Sequence, residues 1–246
     1  VDRAFDLLDE EGAYVVAQIA PSVRATLGEE FGYPMGTNVE GKIYHALEKL
    51  GFHDVVDVNF AADLTIMEEG TELIGRLKAF LDGDKDVKLP LFTSCSPGWI
   101  RYIERYAPEY LGHVSSCKSP QGMSGAIIKN YYAQKLGIER EKIKVVSIMP
   151  CIAKKYEASR PEMEVDGVRD IDLVLTTREL ARFIKRHVID FDMLTNKQLT
   201  SPLASYTGAG VIFGVTGGVM EAALRTVKAL LEKEDAYLID IREVRG

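Results

Sequence analysis

Ile143-Lys144-Val145-Val146-Ser147-Ile148-Met149-Pro150-Cys151-Ile152-Ala153-Lys154-Lys155-Tyr156-Glu157 is the stretch that decides the fold. Its first seven residues are mostly β-branched or long and apolar, with little polar interruption. That is the pattern of a strand buried on both faces, as in a parallel sheet. Pro150 ends the run and Cys151 is expected to open a helix. Lys154 then falls one turn after Cys151, and Glu157 one turn after Lys154, all on one face.

The same alternation spreads outward in both directions. Residues 13–20 (AYVVAQIA) read as a buried strand, with Pro21-Ser22 opening a helix. Residues 38–50 are helix-periodic, 55–60 strand-like, and 61–81 a long helix. Residues 89–93 read as a strand delivering Cys95 to a turn, after which Pro97 starts a helix. Further along come a helix at 119–136, a strand at 172–176 and a helix at 178–187. A short apolar run at 211–213, a glycine turn at 214–218, a helix at 219–233 and a last strand at 236–241 complete the chain. Such alternation predicts an α/β fold with a mostly parallel sheet and helices on its faces. The irregular stretch 191–206 suggests a break between lobes at about 13–190 and 191–246.

Composition narrows the classes. Of 246 residues, 46% are hydrophobic and 27% charged, as in ordinary globular proteins. No apolar stretch approaches the ~18 residues of a membrane span. Thirty basic against 37 acidic side chains leave a net charge of −7, which argues against a nucleic-acid surface. Three cysteines make no disulfide framework and fit thiol chemistry in a reducing compartment. The chain begins Val1-Asp2-Arg3, without Met and without signal-peptide character, and stops directly after a strand-like run. The expectation is a piece of a longer protein.

Ligands in open α/β sheets bind beyond the carboxyl ends of strands. Cys95 and Cys151 both sit at such strand-to-helix turns, each beside a proline. A lone cysteine is commonly a small buried hydrophobe, and Cys117, which has no such turn, is expected to be one. Two cysteines so placed point to thiolate or anion chemistry, with Lys154 adding positive charge. By themselves, Glu69 and Glu72 read as an exposed acidic helix face.

Phe92-Thr93-Ser94-Cys95-Ser96-Pro97-Gly98-Trp99 resembles the first signature of the [FeFe]-hydrogenase catalytic domain, Thr-Ser-Cys-Cys-Pro-Gly-Trp. Met149-Pro150-Cys151-Ile152-Ala153-Lys154-Lys155-Tyr156-Glu157 matches its second, Met-Pro-Cys-x-x-Lys-x-x-Glu, at every fixed position. Ser116-Cys117-Lys118-Ser119-Pro120-Gln121 and the glycine-rich residues 208–225 are similar to that family too. The likeness runs from about Ala13 onward. It implies two α/β lobes, each a mostly parallel sheet flanked by helices, with the active site in the cleft between them. The cofactor implied is the H-cluster, a [4Fe–4S] cubane bridged to a two-iron site carrying CO, cyanide and an azadithiolate. The reaction implied is interconversion of protons and electrons with H2. Electrons would come from a ferredoxin-like or other iron–sulfur domain or subunit, in the cytoplasm or alternatively the periplasm.

The resemblance also implies roles, residue by residue. Cys151 matches a cubane ligand and Cys95 the thiol that passes protons. Glu69 and Glu72 match carboxylates of the proton path, with Ser115 between Cys95 and Glu72. Lys154, Ser119 and Pro21 match groups that hold cyanide. Gln121, Met149 and Phe213 match residues lining the CO face. Two departures stand against this. Ser96 occupies the place of a cubane cysteine, and the third signature, Glu-x-Met-x-Cys-x-x-Gly-Cys, is absent from the 246 residues; it is expected in a further C-terminal segment.

Three readings therefore stand side by side: part of a hydrogenase catalytic subunit, a hydrogenase-like redox or H2 sensor, and a dinucleotide-binding α/β protein. The last is weak, because Gly208-x-Gly210-x-x-x-Gly214 misses the Gly-x-Gly-x-x-Gly spacing. Retention of Cys95, Lys154, Ser119, Glu69 and Glu72 favours the first over the second.

Overall fold

The computed structural model describes residues 1–232, so the strand expected at 236–241 lies outside the described residues. Two compact units emerge, each made of two stretches of chain. One is Val1–Val58 with Gln121–Ser205, and the other is Asn59–Pro120 with Tyr206 onward. They do not coincide with the lobes 13–190 and 191–246, because the long helix that follows residue 58 takes the chain out of the first unit and residue 121 brings it back. The irregular stretch does end at the later boundary.

Strands β1 (Tyr14–Ile19), β2 (Asp54–Asp57), β3 (Ile143–Met149), β4 (Glu164–Val165), β5 (Val168–Arg169) and β6 (Leu173–Thr176) all belong to the first unit. Four form one sheet in the order β2-β1-β3-β6, every neighbouring pair parallel. β4 and β5 form a small antiparallel hairpin. The two central strands bury nearly every residue, which is why their sequences are near-continuous apolar runs. The helices Glu40–Lys49 and Thr177–Arg186 bury Ile43, Ala46, Leu47 and Leu180, Ala181, Phe183, Ile184 respectively. Thr176 and Glu179 close a reciprocal capping box at the start of the second.

The helix expected at 119–136 begins at Pro120 and is not uniform. Pro120–Ile127 is α, Ile128–Tyr132 is a π turn, and Ala133–Leu136 is α again. The π turn contains Lys129, which is 2% exposed and pairs with Asp172 at 2.8 Å. Gly125 is needed for this helix to pack, since a Cβ there would stand 2.5 Å from the Asp170 carbonyl oxygen.

The second unit is built on helices. Val58–Leu81, Pro97–Tyr106 and Gly218–Glu232 are its long ones. Here the structure corrects two expectations. β2 stops at Asp57, and Val58 and Phe60, expected in the strand, begin the long helix. Residues 89–93 form no strand, only an isolated parallel bridge between Phe92 and Val114. A strand needs a ladder partner as well as an apolar run, and the described residues supply one bridge. The run at 211–213 belongs largely to a short helix, Gly208–Ile212. Asp63 holds its start, accepting from Thr207 N at 2.5 Å and Gly210 N at 2.8 Å. Among the described residues, no helix is long and apolar enough to cross a membrane.

Candidate active site

The first unit has a topological switch point: from β1 the chain passes to β2 on one side and β3 on the other. In open parallel sheets the crevice beyond the carboxyl ends at such a point is where ligands sit. β1 ends there at Ala20-Pro21 and β3 at Met149-Pro150-Cys151, with Ala20 N donating to Ile148 O at 3.0 Å. Met149 and Gln121 are buried, while Pro21 is exposed. Cys151 is exposed too. It does not open a helix as expected: the helix Ala153–Ala158 begins two residues later, after Ile152 at its cap. Lys154 is 9% exposed and its Nζ meets Glu157 Oε2 at 2.6 Å. The predicted one-turn spacing of these two charges thus yields a buried pair.

In the second unit a cavity of about 200 Å³ is lined by Glu69, Cys95, Ser96, Ser119 and Phe213, among others. Five residues singled out in the sequence are brought together there. Glu69 is only 5% exposed, and its Oε2 has no hydrogen-bond partner. Burial, with the charge of Glu72 beside it, pushes this carboxyl up to about 7. Glu69 also borders a larger, mainly apolar cavity of about 570 Å³ against Leu73, Phe92 and Trp99.

Glu72, one turn further along the same helix, has the opposite environment. Ser115 Oγ donates to its Oε2 at 2.7 Å and Ser116 N at 3.1 Å, while Arg76 Nη2 reaches Oε1 at 2.6 Å. Burial alone would raise this carboxyl, but the bonds from Ser115, Arg76 and Ser116 outweigh it and hold it below the ordinary range. The exposed acidic face expected for Glu69 and Glu72 is therefore overturned. Arg76 was missed, although Glu72–Arg76 is a legible i,i+4 pair.

Cys95 is exposed at the residue before Ser96. Ser96 is the N-cap of the helix Pro97–Tyr106, its Oγ accepting from Trp99 N at 3.4 Å. Cys117 is half-buried rather than packed in a core. Burial and the carboxylates of Glu69, Glu68 and Glu72 push its thiol up to about 12.

The donor set suits an H-cluster in part. In the first unit the buried ammonium of Lys154 and the amide of Gln121 are apt for holding anions; in the second, the unpartnered oxygen of Glu69 beside the Cys95 cavity is apt for moving protons. The cubane is not provided for. Cys151 offers one exposed thiol, Ser96 has its oxygen engaged as a cap, and among the described residues no three His, Cys, Asp or Glu side chains gather as a metal site. Thiolates suit iron–sulfur clusters and serine is a much harder ligand.

The parallel sheet with its flanking helices is the fold of the iron-only hydrogenase class. Residues 13–246 match the family described as iron only hydrogenase large subunit, C-terminal domain, and the chain belongs to it. It is 55% identical over 232 residues to NADP-reducing hydrogenase subunit HndD of Solidesulfovibrio fructosivorans, covering 94% of this chain and 40% of that protein. It is 47% identical over 246 residues to iron hydrogenase 1 of Clostridium pasteurianum, covering all of this chain and 42% of that one. A solved [FeFe]-hydrogenase, studied for oxygen damage to its H cluster 2Fe subcluster, superposes with a TM-score of 0.86 at 42% identity. That match covers 100% of this chain and 61% of the other. The chain thus spans about two fifths of the length of these curated relatives. Proteins named as cytosolic Fe–S cluster assembly factors, one of them as probable, match as well, at lower identity.

Proposed function

We propose that this chain is part of an [FeFe]-hydrogenase catalytic domain, which reversibly reduces protons to H2 with electrons from an iron–sulfur donor. The observation that carries the reading is the cavity shared by Cys95 and the buried Glu69, whose Oε2 has no partner. A thiol beside a buried carboxyl pushed up to about 7 is suited to trading protons.

When bound, the H-cluster would take up the donor's electrons and supply the metal chemistry. The chain's own residues do the rest. Cys95 holds or releases a proton at Sγ. Glu69 is the store behind it, because a carboxyl near 7 is protonated part of the time. Ser115 hands protons on through its hydroxyl to Glu72, which stays anionic at the outer end and draws protons in without retaining them. Lys154, Ser119 and Pro21 would hold the cluster's cyanide groups, and Gln121, Met149 and Phe213 would stand beside its CO. Cys151 would be a thiolate ligand of the cubane. Three cysteines without a disulfide accord with a cytoplasmic location, the periplasm being the alternative.

A second reading, a hydrogenase-like sensor that binds a cluster without turnover, is favoured by one observation: the capping role of Ser96 where the family has a cysteine. The full-length protein, matured anaerobically and assayed for H2 evolution from a reduced viologen, separates the two. Sustained turnover is expected. A full complement of cluster iron with no turnover would establish the sensor.

A further inference from the structure

Three polar side chains run in single file through the apolar centre of the first unit. Gln18 on β1 and Ser147 on β3 are register partners, and both are fully buried. Gln18 Nε2 donates to Ser147 Oγ at 3.0 Å and to the main-chain oxygen of Gln121 at 3.2 Å. Ser147 Oγ donates to Gln121 Oε1 at 2.9 Å. Gln121 Nε2 then donates to the carbonyl oxygen of Lys154 at 3.3 Å.

The file has one sense of donation, and the sense follows from chemistry. A carboxamide can be turned end for end with little change of shape, so only its partners fix it. Were Gln18 reversed, its oxygen would face the Gln121 carbonyl oxygen, acceptor against acceptor. Gln18 is therefore locked with its nitrogen inward. Ser147, having accepted from Gln18, has its own proton left for Gln121 Oε1. That leaves the Gln121 nitrogen directed at Lys154. The arrangement has a cost, since Gln18 Oε1 is buried with no partner. Apolar residues at positions 18 and 147 would fill the sheet without that cost, so packing does not account for the pair.

We propose that Gln18 and Ser147 are positioning residues. They set the direction of the Gln121 carboxamide and, through the Lys154 carbonyl, hold the turn from Cys151 to Lys154 in its working form. This rests on the reading above that Gln121, Cys151 and Lys154 face the cofactor.

The test uses the full-length protein with Ser147→Ala, Ser147→Thr and Gln18→Leu, and Lys154→Ala as a control. The first arm is hydrogen exchange in cofactor-free protein. Amides of residues 151–155 should exchange about five- to tenfold faster in Ser147→Ala and Gln18→Leu, the scale of one lost hydrogen bond. Exchange along β3 should be unchanged, and Ser147→Thr, which keeps the hydroxyl, should restore the turn. The second arm is the infrared cyanide and CO bands of matured protein, which should shift in the same two variants and return in the threonine variant. Where Ser147→Ala does not fold, Gln18→Leu carries both arms. Unchanged exchange at 151–155, or equal acceleration along β3, would overturn the proposal. Normal bands in Lys154→Ala would instead overturn the cofactor reading, while the exchange arm would still judge the positioning.

Discussion

The turns at Cys95 and Cys151 look alike as sequence: an apolar run, a cysteine, a proline beside it, then helical spacing. As structure they are held from opposite sides. The Cys151 turn hangs from β3, a seven-residue strand paired with β1 and β6. Its helix has only six residues and no side-chain cap. The Cys95 turn follows an extended segment with a single bridge, but leads into a ten-residue helix with Pro97 in its first turn and Ser96 as its cap. One thiol is positioned by a sheet, the other by a helix. The charges differ likewise. Near Cys151 the buried Lys154 is paired with Glu157, whereas Glu69, in the cavity with Cys95, has a buried oxygen without a partner. A paired charge is a fixed clamp, and an unpaired buried carboxyl is one that titrates.

The largest test of this contrast is Cys95→Ala in the matured full-length protein. If this thiol moves protons while Cys151 holds iron, H2 evolution should fall at least ~100-fold, the usual worth of a positioned acid–base group. Iron per protein should stay nearly unchanged. Cys151→Ala should do the reverse and lower the iron content. Loss of cluster iron in the Cys95 variant would erase the distinction between the two turns.

Glu69→Gln comes next. Turnover should drop by about 10- to 100-fold. The stability effect has a definite sign. The folded pKa is about 7 against an ordinary 4.5, so the folded state holds the extra proton between those values. Stability is therefore present below 4.5 and lost as pH rises through 7, with a total of about 3 kcal/mol at most. Thermal melts of the cofactor-free full-length protein at pH 5 and pH 8 should differ for the parent and converge for the glutamine variant. Glu72, whose carboxyl is held low, contributes with the opposite sign: its stabilisation is present above 4.5 and fades as pH falls. An unchanged pH 5–8 difference in Glu69→Gln would show that another group is responsible.

How much of this was legible depended on where the deciding partners lay. β1, β3 and β6 were readable because apolar runs buried on both faces announce themselves within a few residues. The segment at 89–93 carries the same local signal, yet only a distant partner decides whether it becomes a strand. Glu69 and Glu72 share a helix and a residue type. Nothing between 68 and 76 says that one will be buried and the other bonded to Ser115, 43 positions along the chain. Arg76 was within reach of the sequence through its spacing. Gln18 and Ser147 were visible as polar interruptions of apolar strands, but their link through Gln121 needed coordinates.

The smallest expected effect bears on Ser96. If its oxygen serves the helix rather than iron, Ser96→Ala should lose only a cap. The bond to Trp99 N is long at 3.4 Å, so the cost belongs at the low end for caps, about 0.5–1 kcal/mol, or about 2 °C in Tm. Asp is an equally good cap, and Ser96→Asp should melt like the parent. Neither change should alter iron per protein. Ser96→Cys separates the two roles further: a thiol caps poorly but ligates iron well. It should therefore lower Tm in cofactor-free protein while holding cluster iron more firmly against a chelator. Iron loss in Ser96→Ala, with no change in Tm, would mean that the serine oxygen is a ligand and that the Cys95 turn, like the Cys151 turn, is built to hold metal.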